Sequence, residues 1–424
     1  MFLRLALTAL VAAQAALSVP LEERKVDFNW GGEKIRGINV GGWLVLEPWI
    51  TPSIFQKVDQ SLKIVDEYTL GKKLPKSAPG ILKKHWDTWC TFSDFQKIAS
   101  SGFNVVRIPI GFWAYDNANT PYVKGAAPYL DKAIGWARTT NPPLKVIIDL
   151  HGAPGSQNGY DNSGERLPVS QIGWLKGGAG GPTAQRTLKI LQTISSKYAK
   201  PSYQDVVAGI ELLNEPFSPA LSVPDIYTFY RQGFKNTRKT SDTTVVLHDA
   251  FRQPDEWNGF LTPSDGNAQN VAVDHHEYQV FSDGDIAMVP WQHRQAVCNR
   301  AGAYSDADKW TFVGEWSAAM TDCAPALNGY RIGARYDGTY PGSTKVGSCG
   351  MYNNVKNWPQ WYKDDTRGYI EAQMEAFEQR TQGWCFWNFK TEAAHEWDAF
   401  ALIDAGVFPQ PLTARKYGAI CDNL

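Results

Sequence analysis

Short hydrophobic segments rich in β-branched and aromatic residues recur along the chain, and their length and composition predict β-strands. The strand candidates are Ile35–Val40, Val105–Ile110, Lys145–Leu150, Val207–Leu213, Thr244–Leu247, Val271–His275, Thr311–Val313 and Gly383–Trp387. Between several of them, apolar residues follow the helical period. The helix candidates are Phe92–Ala99, Tyr129–Arg138, Ala184–Tyr198, Ile226–Thr237 and Tyr369–Arg380.

Alternating strands and helices predict parallel strands joined by crossover helices, and therefore an α/β fold. Eight strands in 424 residues favour a (β/α)₈ TIM barrel over a doubly wound sheet. No G-x-G-x-x-G motif follows the first strand, which weakens the dinucleotide-binding alternative. Because the chain has no internal repeat or low-complexity linker, we predict one barrel domain over residues 31–424, with elaborated loops at its C-terminal face.

The N-terminus has the pattern of a leader for export. The nearly unbroken apolar run Leu5–Leu17 contains the small-x-small sequence Ala13-Gln14-Ala15. It predicts a signal peptide over residues 1–16, followed by a short N-terminal segment over residues 17–30 in which Glu23-Arg24-Lys25 is a candidate for further processing. A membrane anchor is the alternative, but the run is too short to cross a bilayer. We therefore expect a secreted, extracellular protein.

Export gives the six cysteines a structural meaning, because disulfides persist in oxidising compartments. They are Cys90, Cys298, Cys323, Cys349, Cys385 and Cys421. Spacing alone does not define their pairing. Cys385 lies in an apolar run and is predicted to be a buried free thiol. The sequence has no C-x-x-C pair and no N-glycosylation sequon, so neither zinc nor an N-glycan is expected.

Charge and composition narrow the classes of ligand. The formal net charge is −1, which provides no electrostatic field to hold nucleic acid or an anionic membrane and favours a neutral ligand. The chain contains 17 Trp, 18 Tyr and 19 Phe. Core packing accounts for most of these rings, and stacking against sugars is a second use for some of them.

Polar residues cluster where the predicted strands end. They are Arg107, His151, Asn214, Glu215, His248, Asp249, His276, Glu315, Trp387 and Asn388. In a TIM barrel the carboxyl ends of all strands open onto one face, where active sites are built. Residues scattered over the sequence should therefore meet in one cleft.

Two of these residues carry the strongest chemical hypothesis. Glu215 stands in Asn214-Glu215-Pro216, and Glu315 stands in Gly314-Glu315-Trp316. Each motif alone is equally compatible with a simple strand-ending turn. Together they match the paired carboxyl groups of glycoside hydrolysis, which retaining enzymes hold about 5–5.5 Å apart.

Three neighbouring positions have two interpretations each. Arg107 would keep a nearby carboxylate ionised, or it forms a structural salt bridge. His151 would bind sugar hydroxyls, or it is a satisfied core histidine. The sequence His275-His276-Glu277-Tyr278 looks like a metal cluster, but successive strand residues face opposite sides. We therefore predict that His276 and Tyr278 point inward, and that no metal binds.

Longer motifs carry a family resemblance. The segments 102–109, 149–152, 214–216, 276–278 and 314–316 resemble glycoside hydrolase family 5. Within it, further segments are similar to the fungal exo-β-1,3-glucanases, and the similarity extends from about residue 30 to the C-terminus. These segments are Gly41–Pro52, His151–Gly159, Gly333–Tyr336 and Trp387–Glu392.

The resemblance implies a retaining, exo-acting enzyme that needs no cofactor and releases glucose from the non-reducing ends of β-1,3-glucan, with transglycosylation as a second outcome. It implies that Glu215 is the general acid/base and Glu315 the nucleophile. Around the reacting glucose it implies Arg107, His151, Asn214, His276, Tyr278 and Trp387. At the closed end of the pocket it implies Glu47, Asp161, Asn162 and Arg335.

The same resemblance implies disulfides Cys298–Cys421 and Cys323–Cys349, with Cys90 and Cys385 free. It also implies a monomer that acts in cell-wall glucan metabolism, extracellularly or within the wall.

The resemblance is incomplete at the entrance. Phe281 matches one half of an aromatic clamp, whereas Tyr160 replaces the phenylalanine expected in the other half. Two alternatives stay open: an endo-β-1,4-glucanase or mannanase on the same scaffold, and a non-catalytic glucan-binding wall protein.

Overall fold

The computed structural model describes residues 28–423 and contains a closed barrel of eight parallel strands. The strands, β1 to β8 in chain order, are Ile35–Asn39, Val105–Gly111, Lys145–Gly152, Val207–Glu211, Thr244–His248, Val271–Glu277, Trp310–Trp316 and Gly383–Phe386. Each pairs with the next along the chain, and β8 pairs with β1. The predicted (β/α)₈ fold is confirmed.

Helices cover the outside of the barrel. Within the described residues, α1 to α11 are Pro52–Gln56, Glu67–Lys73, Ala78–Thr88, Phe92–Ser100, Ala127–Thr139, Pro182–Tyr198, Val223–Arg238, Asp283–Ile286, Pro290–Arg300, Gln360–Arg380 and Ala399–Asp404. All five predicted helices are present. The largest difference is in α10, which begins at Gln360 instead of Tyr369, because the half-exposed, mixed residues of its first turns obscure the apolar period.

The barrel interior separates a closed base from an open mouth. A small apolar cluster fills the base, including Ile35, Val105 and Phe312 from the strands together with Phe28 and Trp30. Trp30 donates from its indole Nε1 to the carbonyl of Ala208, 3.1 Å away, at the start of β4. Apolar residues therefore close the end where the strands begin, and polar chemistry is confined to the other end.

Three strand ends differ from the predicted ones in a way that bears on the site. Strand β4 ends at Glu211, earlier than expected, and the chain then turns so that Glu215 takes a left-handed φ of 48°. Strands β6 and β7 extend beyond their predicted ends, to Glu277 and Trp316. Polar side chains do not end these two strands, because the barrel mouth accommodates inward-facing polar groups.

Disulfides join Cys298 to Cys421 and Cys323 to Cys349. Cys90 and Cys385 are buried free thiols. Both cysteine predictions are thus confirmed. No helix within residues 28–423 is long and apolar enough to span a membrane. The predicted signal peptide, and all but the end of the segment 17–30, lie outside the described residues.

A buried charge network lies behind β6, on the side away from the barrel interior. His275 contacts the carboxylate of Asp249, and its Nε2 lies 3.6 Å from Glu277. Glu277 also accepts hydrogen bonds of 2.7 Å from both Arg300 and Tyr304. Burial lowers the pKa of His275, but Asp249 and Glu277 outweigh it and raise this pKa to about 9.

This network makes the free energy of unfolding depend on pH. Because the folded pKa of His275 exceeds its ordinary value of 6.5, the stabilisation is fully present below pH 6.5 and is lost as the pH rises through about 9. We expect the denaturant midpoint of the wild type to fall between these values. His275→Gln should be less stable at pH 6 but should have a flatter profile. Parallel profiles for the two proteins would contradict this prediction.

Candidate active site

A pocket of about 580 Å³ opens at the barrel mouth, and most of the predicted site residues line it. Those are Glu47, Tyr160, Asp161, Asn162, Glu215, His276, Tyr278, Phe281, Glu315, Arg335 and Trp387. The other three, Arg107, His151 and Asn214, are buried and contact or adjoin these side chains. One cleft therefore gathers residues that are far apart in the sequence.

Glu215 is held by hydrogen-bonding partners from strand β6 and from the loop after β3. Its Oε1 pairs with Nδ1 of His276 at 2.9 Å, and its Oε2 accepts from Nδ2 of Asn162, also at 2.9 Å. The left-handed turn after β4 brings this carboxyl into the pocket. Burial raises the pKa of Glu215, but the hydrogen bond and charge of His276 outweigh it and lower this pKa below its usual value.

Glu315 accepts hydrogen bonds at both of its carboxylate oxygens. Its Oε1 accepts from Nη1 of Arg107 and its Oε2 accepts from the hydroxyl of Tyr278, both at 2.9 Å. Burial raises the pKa of Glu315, while His276 and Arg107 limit that increase. The donors to both oxygens thus offset part of the cost of burying the ionised form.

The spacing of the two glutamates follows from their shared neighbour. Nδ1 of His276 is 2.9 Å from Oε1 of Glu215 and 3.4 Å from Oε2 of Glu315. These two oxygens are therefore at most 6.3 Å apart, the sum of the two distances. Inverting enzymes separate their carboxyl groups by about 6.5–9.5 Å, whereas retaining enzymes use about 5–5.5 Å. The arrangement lies on the retaining side of this division.

Arg107 is a fully buried cation beneath the pocket. It donates to Glu211, Glu315 and Asn214 at 2.8–3.1 Å, and Asp149 and Asp274 lie 3.2 and 3.3 Å away. Burial lowers the pKa of this guanidinium, but the surrounding carboxylates outweigh burial and raise it well above its usual value. Arg107 therefore forms a buried ion-pair cluster and also contacts Glu315, and its role in keeping Glu315 ionised stays a prediction.

His151 belongs to the wall behind the pocket. Its Nδ1 pairs with Asp149 at 2.6 Å, and its ring stacks on Trp387 with centroids 5.5 Å apart. Its Nε2 is 3.5 Å from the amide nitrogen of Asn214. With 1% of its surface exposed, it positions the ring of Trp387 and the Asn214 amide behind the pocket surface.

Two buried acidic side chains and Arg335 form part of the pocket wall. Glu47 accepts from the indole of Trp49 at 3.0 Å, and burial followed by Asp161 and Glu315 raises the pKa of Glu47 well above its usual value. Burial raises the pKa of Asp161 to about 7. Arg335 donates to Asn328 at 2.6 Å and lies 3.9 Å above the ring of Tyr340. These groups offer hydrogen-bonding partners to a polar, neutral ligand.

Aromatic rings border the entrance. Tyr160 and Phe281 are 43% and 45% exposed, so their faces are available to a ligand. Tyr160 packs edge to face against Phe217, which packs in the same manner against Phe251. Phe217 and Phe251 also line the pocket, and the sequence analysis missed both. Their positions just after Pro216 and after His248-Asp249 were the available signal.

One group of side chains within the described residues meets the spacing of a metal site: Glu215, His248 and His276. Hydrogen bonds already use much of its donor set. Nδ1 of His276 pairs with Glu215, and Nδ1 of His248 accepts from the backbone N–H of Ala250 at 2.9 Å. The absence of a metal requirement stays a prediction.

Comparison with known proteins identifies the family. The family model described as Cellulase (glycosyl hydrolase family 5) matches residues 77–332. Two curated relatives, both named glucan 1,3-beta-glucosidase, are 46% identical to the chain. That of Blumeria graminis aligns over 97% of this chain and 95% of its own length, and that of Schwanniomyces occidentalis over 96% and 94%. The chain belongs to glycoside hydrolase family 5.

A solved structure of rutinosidase from Aspergillus niger has the same fold. Its TM-score is 0.69 at 20% identity, and the alignment covers 90% of this chain and 99% of that one. At this identity the likeness concerns the fold alone. Membership of the family establishes that the chain is a glycoside hydrolase. The acidic pocket lies at the barrel mouth, which is the face where TIM-barrel enzymes have their active sites.

Proposed function

We propose that this protein is a retaining, exo-acting glucan 1,3-β-glucosidase that releases glucose from the non-reducing ends of β-1,3-glucan. The observation that carries the mechanism is the single imidazole nitrogen of His276, which lies within 3.4 Å of carboxylate oxygens of both Glu215 and Glu315. The linkage is supported by the names of the curated relatives.

In the first step, Glu315 attacks the anomeric carbon while Glu215 protonates the departing oxygen. Arg107 and Tyr278 hold the two oxygens of Glu315, which keeps the nucleophile ionised and fixes its direction of attack. The negative charge of Glu315 raises the proton affinity of Glu215 at this stage. The products are a covalent glycosyl-enzyme and a shortened glucan.

In the second step, Glu215 accepts a proton from water, and the resulting hydroxide equivalent displaces Glu315 from the anomeric carbon. Esterification of Glu315 has removed one negative charge, which lowers the pKa of Glu215. Glu215 is therefore ionised at this stage and functions as the carboxylate base. Two inversions give net retention. When a sugar hydroxyl replaces water, the same step gives transglycosylation.

Exo action requires one end of the pocket to be closed, and the polar residues that the family resemblance implies at that end are present on the pocket wall. Glu47, Asp161 and Arg335 lie on the pocket wall, where their polar groups can bind the hydroxyls of a terminal sugar. The half-exposed rings of Tyr160 and Phe281 suit stacking against the next sugar toward the entrance. A pocket with one open end admits a chain end and excludes the middle of a chain.

We propose further that the enzyme is secreted, acts as a monomer outside the cell or in the wall, and needs no cofactor. The two disulfides are compatible with an oxidising compartment. The leader pattern of residues 1–16 supports the same location.

Product analysis on laminarin tests this function directly. We expect glucose as the first and main product, released as the β-anomer when it is followed by NMR within the first minutes. A ladder of oligosaccharides would indicate endo action, and faster turnover of a β-1,4-glucan or mannan would overturn the proposed linkage. No turnover of laminarin or of an aryl β-glucoside would leave only a glucan-binding function.

A further inference from the structure

A bulge in β7 determines the direction in which Glu315 points. Val313 pairs with His275 and Glu315 with His276, so Gly314 has no partner in the β6–β7 ladder. Phe312 belongs to the barrel interior and Val313 to the outer core, so strict alternation would direct Glu315 outward. The extra residue reverses the alternation, and Glu315 enters the pocket.

A buried carboxylate on the neighbouring strand secures this bulge. Asp274 is fully buried in β6, and its Oδ1 accepts from the backbone N–H of Gly314 at 2.7 Å. A Cβ at Gly314 would lie 2.1 Å from both oxygens of Asp274, so glycine is required for this approach. The carbonyl of Gly314 accepts from Nδ2 of Asn39 at 2.8 Å. Two side chains thus satisfy the peptide groups that the ladder leaves free.

The second oxygen of Asp274 faces the charged groups of the site. Its Oδ2 lies 3.5 Å from Nε2 of His276 and 3.3 Å from Nε of Arg107. The other nitrogen of His276, Nδ1, pairs with Glu215. A continuous line therefore runs from Asp274 through the imidazole to the carboxyl of Glu215.

Other titratable groups around His276 also influence its pKa. They are Arg107, His151, Glu211, Glu215, His248, Asp249 and Glu315. The ring of His248 meets that of His276 edge to face, and burial lowers the pKa of His248 well below its usual value, so it adds no charge. Burial lowers the pKa of His276, but Glu315 and Asp274 outweigh burial and raise it well above its usual value.

We propose that Asp274 is a positioning residue with two effects: it secures the bulge that turns Glu315 into the pocket, and it retains the proton shared between His276 and Glu215. The inference rests on the proposed function. As the glycosidic bond breaks, the proton moves from Oε1 of Glu215 to the leaving oxygen. In the second step water returns a proton to Glu215, so the protons balance over one turnover.

Asp274→Asn separates the two effects, because the amide oxygen can still accept from Gly314 while the negative charge is lost. Removing a negative charge lowers the pKa of each neighbouring acid. In the pH profile of kcat/KM on an aryl β-glucoside, we expect the alkaline limb to move to lower pH by about one unit. Asp274→Ala also removes the hydrogen bond from the Gly314 N–H that secures the bulge. It should therefore lower kcat by at least tenfold more than Asp274→Asn does.

Glu277→Gln is the matched control. It removes a buried acid from the same strand, but one that faces away from the pocket toward Arg300 and Tyr304. We expect a lower melting temperature with unchanged limbs of the pH profile. If Asp274→Asn also leaves the alkaline limb in place, the role of Asp274 is structural only and the proposal is wrong.

A measurement on the wild type remains informative even when the Asp274 variants do not fold. The chain has 7 histidines, and the imidazole NMR signals of His276 can be assigned from their loss in His276→Gln. We expect His276 in the resting enzyme to stay protonated as the pH rises past the ordinary imidazole pKa of 6.5. A neutral ring at pH 7 would overturn the proposal. Failure of the proposed function is distinct, because the wild type would then not hydrolyse the aryl β-glucoside.

Discussion

Glu315→Ala is expected to lower the hydrolysis of aryl β-glucosides by roughly 10⁴- to 10⁶-fold, since loss of a covalent nucleophile removes the whole two-step route. The protein should remain folded, because its donors keep other contacts: Arg107 donates to Glu211 and Asn214, and the ring of Tyr278 packs against Trp397. Sodium azide should restore turnover of an activated substrate. Azide then attacks from the vacant side of the sugar, and the product is the α-glucosyl azide.

Glu315→Gln is the matched control for that rescue. It preserves the shape of the side chain, so it leaves no space for azide and should stay inactive with or without it. Thermal unfolding of both variants shows whether the fold is intact. A folded Glu315→Ala enzyme that azide does not rescue, or that gives the β-azide, would contradict the role of nucleophile.

Hydrophobic periodicity was sufficient to predict the barrel, because each buried strand is a compact apolar run and each long helix repeats its apolar face. The same logic brought together the polar residues at the strand ends. It did not reveal α1 to α3, which lie in the connection between β1 and β2. Of these, α1 and α2 are only 5 and 7 residues long, too short for a clear helical period.

Alternation along a strand was informative for β6 and insufficient for β7. In β6 it correctly directs Asp274, His276 and Tyr278 to one face, and His275 and Glu277 to the other. In β7 it directs Glu315 outward, and the Gly314 bulge reverses this. A bulge depends on contacts with a neighbouring strand, which a single segment does not contain.

The partners of Arg107 illustrate the same limit at longer range. Its carboxylate neighbours come from β3, β4, β6 and β7, and only closure of the barrel brings them within 3.3 Å. The sequence therefore predicted a cation near a carboxylate without predicting how many share it.

Glu215→Ala should produce a loss that depends on the leaving group. Laminarin has a poor leaving group, so its hydrolysis should fall by about 10²- to 10⁴-fold, the usual contribution of a positioned acid. A dinitrophenyl β-glucoside needs no protonation to leave, so formation of the glycosyl-enzyme should be nearly unchanged. Its hydrolysis should then be limited by the second step, because the base is also missing.

Azide distinguishes the two glutamates by the anomer it produces. In Glu215→Ala it attacks the glycosyl-enzyme in place of water, and the second inversion gives the β-glucosyl azide, the opposite of the product from Glu315→Ala.

The contacts of His276 predict a further difference. Without Glu215, Nδ1 keeps only the 3.4 Å contact to Glu315, so the proton that sets the alkaline limb has lost its acceptor. That limb should disappear from the profile on the activated substrate. Equal losses on laminarin and on the activated substrate, with the limb intact, would exclude Glu215 as the acid.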